Sequence, residues 1–416
     1  MFELENVLRP YAWGSKTAIA ELLGREASGG PEAELWIGAH PDSPSQAVGS
    51  DGQSLALDAL IAGDPAHFLG SASLGQFGPR LPFLTKILAA ETPLSLQVHP
   101  SLEQAKEGFA AENRAGMAPD SPSRNYRDDN HKPEMIFALT PFEALCGFRP
   151  PAESSKVFAH IIGFLELAGL DVPAVLPAVV EDLSLPDESA ALRAAFTRLI
   201  SGGQEVSDAA EHVAAALRSG APMTPHTAAL STLLSLNGYY PGDPGVLISL
   251  LLNVVSLAPG EAVYLPAGNV HAYLNGLGVE VMATSDNVLR GGLTPKHIDV
   301  PELLKTIEFR SLGVPKIQAE QSALGQELYR PPFREFQLQR IELSPGSEPV
   351  PLAQNGPAIV VVTLGAVVLD SPKGDLPLNR GASAFIPDSE SPVMVHPAAG
   401  LTGRGIAFAV TTSLEA

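Results

Sequence analysis

The sequence predicts a mainly β protein carrying an α-helical insertion. Three observations lead there. Residues 1–150 and 254–416 are built from short apolar runs cut by Gly and Pro, the punctuation of strands and turns. Residues 152–240 instead become Ala- and Leu-rich, with apolar positions at helical spacing. A strand-and-turn signature, Gly, five residues, Pro, occurs at 260–266 and again at 381–387.

Taken in order, "MFELENVLRPYAWGSK" opens with acidic residues and has no apolar run long enough for a signal peptide. "AELWIGAHP" and "LPFLTKILAA" read as strands. In "PLSLQVHPS" (93–101), Leu94, Leu96 and Val98 alternate with Ser95, Gln97 and His99. Period-two alternation puts a hydroxyl, a carboxamide and an imidazole on one strand face. "SLEQAKEGFAAENRAG" (101–116) reads as a helix capped by Ser101. "YRDDNHKPE" (126–134) gathers Asp128, Asp129, Asn130, His131, Lys132 and Glu134 within seven residues. Pro133 favours an extended entry into a strand that begins at Glu134.

Composition changes after "GFRPP" (147–151). "ESSKVFAHIIGFLELAGL", "DESAALRAAFTRLISGG" and "VSDAAEHVAAALRSG" are helix-sized, and the last two end at Gly. Asp243-Pro244 is suited to start a further helix. "VLISLLLNVVSLA" (246–258) is too short to span a bilayer and reads as buried core. Strands return in "VVSLAPGEAVYLPAG" and "GVEVMATS", then in "FQLQRIELSPG", "PAIVVVTLGAVVL", "GASAFIPD" and "GRGIAFAVTTS". The expected division is a discontinuous unit of 1–150 with 241–310, a helical insertion at 151–240, and a C-terminal unit at 311–416.

The chain has 416 residues, 45% of them hydrophobic and 17% charged, as in soluble globular proteins. A net charge of −20 argues against nucleic acid and anionic membranes as partners. An anionic small substrate then requires a local cluster of cations. The single cysteine, Cys146, allows no intrachain disulfide and fits a reducing cytoplasm.

"GEAVYLPAGNVHAYLN" (260–275) continues from Gly260 and Pro266 to Gly268, His271 and Asn275. That spacing resembles the second motif of the cupin superfamily, double-stranded β-helix (jelly-roll) barrels that often hold a metal. The likeness implies a barrel with His271 facing inward. The echo "GASAFIP" implies a second, degenerate barrel without a metal, its His396 structural or facing solvent. A cupin's first motif usually offers His-x-His followed shortly by Glu. Here Gln97 replaces the first His, and the missing carboxylate is sought at Glu134. Gln97, His99, Glu134 and His271 together are a mixed N/O set suited to zinc or another divalent transition metal.

The combination of "RPYAWGS", "AELWIGAHP", "LPFLTKIL", "PLSLQVHP", "DNHKPE", "ALCGFRP" and "LPAGNVHAYLNGLGVEVMATSDNVLRGGLTPKH" resembles the type I mannose-6-phosphate isomerase (phosphomannose isomerase) family over the first 310 or so residues. The resemblance implies one Zn2+ per chain on Gln97, His99, Glu134 and His271, with Arg290 catalytic. The family's reaction interconverts mannose 6-phosphate and fructose 6-phosphate through an enediol. It needs electrophilic help at O1 and O2, a base near the moving proton, and a phosphate clamp. Zinc would polarise the oxygens or only organise the pocket. Arg290 would stabilise an enediolate or grip phosphate. Lys132 and Asp286 are the further catalytic candidates. Lys86, Ser95, His131, Glu280 and Lys296 are candidates for binding substrate. Each has an alternative as an ion pair or packing group; Lys132 and Arg290, for instance, would pair Asp129 and Asp286. The expected protein is a cytoplasmic monomer acting on a phosphosugar. A cupin oxygenase and a non-enzymatic sugar-binding cupin are the rival readings.

Overall fold

The computed structural model describes residues 1–49, 52–220 and 225–414. Most of the strands expected from sequence form, and so do the helices. "AELWIGAHP" supplies the strand Glu34–Ile37, "LPFLTKILAA" the strand Phe83–Ala90, and "KPEMIFAL" the strand Glu134–Ala138. Ser101 caps the helix Leu102–Arg114, accepting from the Gln104 N–H at 3.2 Å while Gln104 reaches back to the Ser101 N–H at 2.9 Å. Asp243 caps the helix Pro244–Ile248 through the Gly245 N–H.

Among the described residues the strands lie in three sheets. One follows the order Lys316–Ile317, Ala262–Leu265, Glu134–Ala138, His271–Ala283, Phe83–Ala90, Glu34–Ile37, Val7–Arg9. The long strand His271–Ala283 changes partners along its length. Its second half pairs with Phe83–Ala90 and Glu134–Ala138, and its first half with Gln97–Val98 and Phe142–Phe148. The second sheet has nine strands. It contains Gln337–Leu343, Gly405–Thr411, Ala358–Leu364 and Ser383–Ile386, and continues into Phe2–Glu5 from the other end of the chain. The third is a four-stranded sheet within 350–397.

This corrects the expected fold class. The protein is mixed α/β, with about 31% helix against 29% strand, not mainly β. Nor are there jelly-roll barrels: among the described residues no sheet closes on itself, the nine- and four-stranded sheets being open paths and the eleven-stranded one branching at His271–Ala283. The physical reason is that a Gly-x5-Pro signature specifies a strand and its turn, which are local, whereas closure depends on which distant strand pairs last. Helix was also under-counted near the N-terminus. Pro65–Phe77, "PAHFLGSASLGQF", is helical despite two glycines that read as turn signals; Asp64 caps it and Gly70 breaks it at φ 74°.

The helices of 151–248 share one apolar core with the inner strands. Phe158, Ile161, Phe196, Leu199 and Val213 pack with Leu96, Val98, Leu145 and Leu289. The segment 246–252 lies wholly inside it. Burying Leu96 and Val98 there, at roughly 1.5–3 kcal/mol each, fixes which way their strand faces. Ser95, Gln97 and His99 are thereby turned to the opposite side. Leu94 leaves this alternation and packs against a different cluster, that of Leu88, Ile136, Phe142 and Tyr273. The regular strand is only Gln97–Val98, shorter than the alternation suggested.

Candidate active site

Three strands deliver the donor atoms. Backbone pairing sets Gln97 opposite His271 on one side and opposite Arg290 on the other. Glu134 opens its strand between Leu265 and Met282. One donor atom each from His99, Glu134 and His271 falls within 4.8 Å of the others. His99 Nε2 lies 3.4 Å from Glu134 Oε1, and His271 Nε2 lies 3.4 Å from Oε2. All three residues are at most 4% exposed. The turn that aims His271 needs Gly268 at φ 77°, where a Cβ would sit 2.9 Å from that of Glu308.

Backbone carbonyls orient both imidazoles. His99 Nδ1 meets the Asn287 carbonyl at 2.8 Å, and His271 Nδ1 meets that of Asn269 at 3.1 Å. Each Nδ1 therefore carries the proton, and each Nε2 presents a lone pair inward. His99 Nε2 is buried without a hydrogen-bond partner. Burial pushes this imidazole down to about 4, so it is neutral near pH 7. Burial would raise the Glu134 carboxyl, but Lys132 and His99 reverse this and hold it well below the usual range. Gln97 Nε2 donates to Ser95 Oγ at 3.4 Å, which leaves the amide oxygen free. A buried orphan lone pair among two imidazoles, a carboxylate and a carboxamide fits a divalent transition metal with open positions.

Around these donors lies a small pocket that includes Lys86, Lys132, Tyr273 and Glu280. Lys132 Nζ sits 3.1 Å from Glu134 Oε1. Trp36, Lys86 and Glu280 are cross-strand neighbours in register. Lys86 Nζ reaches Glu280 at 2.8 Å and Glu34 at 3.5 Å, and lies 5.3 Å from the centre of the Trp36 ring. Burial disfavours its charge, but Glu280 and Glu34 raise its pKa above the ordinary lysine value, so it stays an ammonium. Glu280 is raised by burial, with Lys86 opposing.

Arg290 is half-buried, and among the described residues neither it, Lys296 nor Arg127 forms an ion pair. Burial and the nearby Arg127 guanidinium lower the pKa of Arg290; burial, Arg290 and then Arg127 lower that of Lys296. Three cations outside any ion pair form the local positive centre that a −20 chain would need for an anionic substrate. Neither expected alternative pairing is present. Asp129 is 3.6 Å from Arg80, and Asp286 is 3.4 Å from His40 Nε2. His131 Nε2 is bonded to Glu335 Oε1 at 2.6 Å. His160 and His212, on helices, are not in this constellation.

Sequence reasoning missed Glu34, His40, Arg127 and Asn287. Asn287 stitches two loops: its amide donates to the carbonyls of Asp128 and Asn130 at 2.8 Å each, its Oδ1 accepts from the Arg127 N–H at 2.7 Å, and its own carbonyl holds His99. Its presence in "SDNVLR" was the available signal.

The comparisons agree with this geometry. The family model "Phosphomannose isomerase type I, catalytic domain" matches residues 1–151. The mannose-6-phosphate isomerase of Escherichia coli K12 is 41% identical over 399 residues, 95% of this chain and 97% of that protein. A crystal structure of the K86A mutant of the Salmonella typhimurium phosphomannose isomerase superposes with a TM-score of 0.87 at 38% identity, covering both chains entirely. A zinc-bound mannose 6-phosphate isomerase structure gives 0.86 at 38% identity over 99% of each chain. With this identity over nearly its whole length, the chain belongs to the type I mannose-6-phosphate isomerase family.

Proposed function

We propose that this protein is a zinc-dependent aldose–ketose isomerase interconverting mannose 6-phosphate and fructose 6-phosphate through an enediol. The observation that carries the reading is the inward, unpartnered Nε2 of His99 beside Glu134 and His271, with unpaired cations next to it. His99, His271, Glu134 and the Gln97 amide oxygen would hold the ion. Zinc there supplies Lewis acidity toward the sugar's C1 and C2 oxygens.

The remaining work falls to side chains. Arg290, Lys296 and Arg127 bind the phosphate, and Arg290 also faces the reacting end through its pairing with Gln97. Lys86 is a fixed ammonium that donates to a sugar oxygen. Lys132 keeps Glu134 ionised and adds positive charge where the enediolate develops. Asp286 lines an adjoining cavity of about 370 Å3, a ligand-sized space. It takes the proton from C2 and returns it to C1. Glu280 holds Lys86, Ser95 orients Gln97, and His131 contributes to ring opening through Nδ1, since Nε2 is committed to Glu335.

The rest of the reading is a monomer with no nucleic-acid partner, supported by the −20 charge, in the cytoplasm, supported by the lone buried cysteine. No helix among the described residues is long and apolar enough to cross a membrane. A coupled assay for fructose 6-phosphate formation tests the proposal. Turnover of mannose 6-phosphate that stops on chelation and returns with zinc is expected. A zinc-loaded protein with no turnover would favour the sugar-binding alternative, and substrate-dependent oxygen uptake would favour the oxygenase.

A further inference from the structure

The cavity of about 370 Å3 beside the metal pocket is walled by His40, Asp42, Arg80, Arg127, Asp128 and Asp286. His40 is only 4% exposed. Its ring meets that of Trp36 edge-on at 4.9 Å, while Lys86 lies 5.3 Å from the centre of the same indole. One aromatic ring thus separates His40 from the metal pocket.

The imidazole's two nitrogens have different tasks. Nδ1 accepts from the Asp42 backbone N–H at 3.3 Å. An accepting Nδ1 in a neutral ring leaves the proton on Nε2. Nε2 lies 3.4 Å from Asp286 Oδ2. Burial lowers the His40 pKa, outweighing the pull of Asp286, so the ring is neutral near pH 7. The backbone under Asp286 is fixed as well: its N–H donates to Asp128 Oδ2 at 2.7 Å, and Ser285 Oγ donates to Asp128 Oδ1 at 2.8 Å. Burial and the neighbouring Asp286 carboxylate raise Asp42, whereas Asp286, which burial also pushes up, is brought below the usual range by His40, Lys132 and Asp42. Asp286 therefore stays ionised near pH 7.

His40, Asp42 and Asp286 also place one donor atom each within 4.8 Å of one another. A cation is not their best occupant: with Nδ1 taken and Nε2 protonated, the imidazole has no lone pair to give.

We propose that His40 is a positioning residue of the isomerase: its Nε2–H holds the Asp286 carboxylate in the orientation from which Asp286 exchanges a proton with the sugar. This rests on the isomerase reading and on Asp286 as proton carrier. It assigns His40, in "AELWIGAHP", a function acting entirely through Asp286.

The test uses the zinc-loaded full chain with mannose 6-phosphate. It compares wild type, His40→Leu, His40→Gln, His40→Asn, Asp286→Asn and the double variant His40→Leu/Asp286→Asn, reading kcat, KM and zinc content. Gln can place an amide donor near the position of Nε2; Asn cannot. His40→Leu should lower kcat about 30- to 100-fold, with KM within about threefold and zinc retained. His40→Gln should recover to within about fivefold of wild type, and His40→Asn should not. In the Asp286→Asn background, adding His40→Leu should cost less than about twofold, because groups acting as a unit are not additive. Equal losses for Gln and Asn, independent multiplication of the two effects, or an unchanged kcat in His40→Leu would overturn the proposal. If His40→Leu folds poorly, the order of Gln and Asn decides. A wild type without turnover would instead remove the isomerase reading itself, a separate failure.

Discussion

The segments 260–271 and 381–390 start from the same frame and end differently. Gly260 (φ 95°) leads through the strand Ala262–Leu265 to Pro266; Gly381 (φ 88°) leads through Ser383–Ile386 to Pro387. After Pro266 the chain turns at Gly268 and delivers His271 into a buried space opposite Gln97. After Pro387 it enters the 3-10 turn Asp388–Glu390 and buries a carboxylate instead. Glu390 is fully engaged, with the Met1 amine 2.9 Å from Oε1 and Ser371 Oγ donating to Oε2 at 2.6 Å. The nearby His396 pairs with Asp370 at the surface. The strand and turn are therefore only a delivery device. The residues just after the proline decide whether a buried polar group is left open for a ligand or closed off to anchor the chain.

Removing one histidine of the metal pocket and one that follows the second segment is the sharpest way to break this contrast. His99→Ala should remove zinc and cut turnover by about 10³-fold or more, whereas His396→Ala should leave both unchanged and stability within about 0.5 kcal/mol. Metal analysis with the coupled assay reads both; equal effects would erase the distinction. Next in size, Arg290→Ala should keep zinc bound while kcat/KM falls about 100-fold, separating the cation centre from the metal ligands. Loss of zinc with Arg290 would make them one unit.

The glycines sharpen the comparison by stability. A Cβ at Gly260 meets nothing within 4 Å, so Gly260→Ala carries only the cost of positive φ, about 1–2 kcal/mol. At Gly381 a Cβ would lie 2.8 Å from the Leu23 carbonyl oxygen, and Gly381→Ala should cost about 3 kcal/mol. Thermal or urea unfolding measures the order. Comparable in size, Glu390→Ala should destabilise by about 1–3 kcal/mol, by leaving the Met1 amine and Ser371 unpaired, with isomerase activity intact. Lost activity with unchanged stability would contradict a purely anchoring role.

The same contrast explains what could be read from sequence. Ser95, Gln97 and His99 were legible as one polar face because Leu96 and Val98 opposite them demand a core, and that core exists. Ser101 and Asp243 announced their helices through capping chemistry. His40 was hidden because nothing near it in sequence marks it: its partner Asp286 is 246 residues away. Glu34 reads as an ordinary polar position in a strand, and only the register of Lys86 with Glu280 and Trp36 shows that Glu34 shares the Lys86 ammonium. Barrel closure was unreadable for a related reason. The Phe2–Glu5 strand pairs with Ser383–Ile386, and no local pattern in either segment names its partner.

The central claim is that an ion held by His99, Glu134, His271 and Gln97 makes this chain an isomerase. The direct measurement is zinc content and fructose 6-phosphate formation, side by side, for wild type and His271→Ala before chelation, after it, and after zinc is returned. The account predicts one zinc per wild-type chain, with activity that disappears and returns with the metal, and neither zinc nor turnover in His271→Ala at any stage. A His271→Ala protein that binds zinc stoichiometrically and turns over like wild type would contradict it.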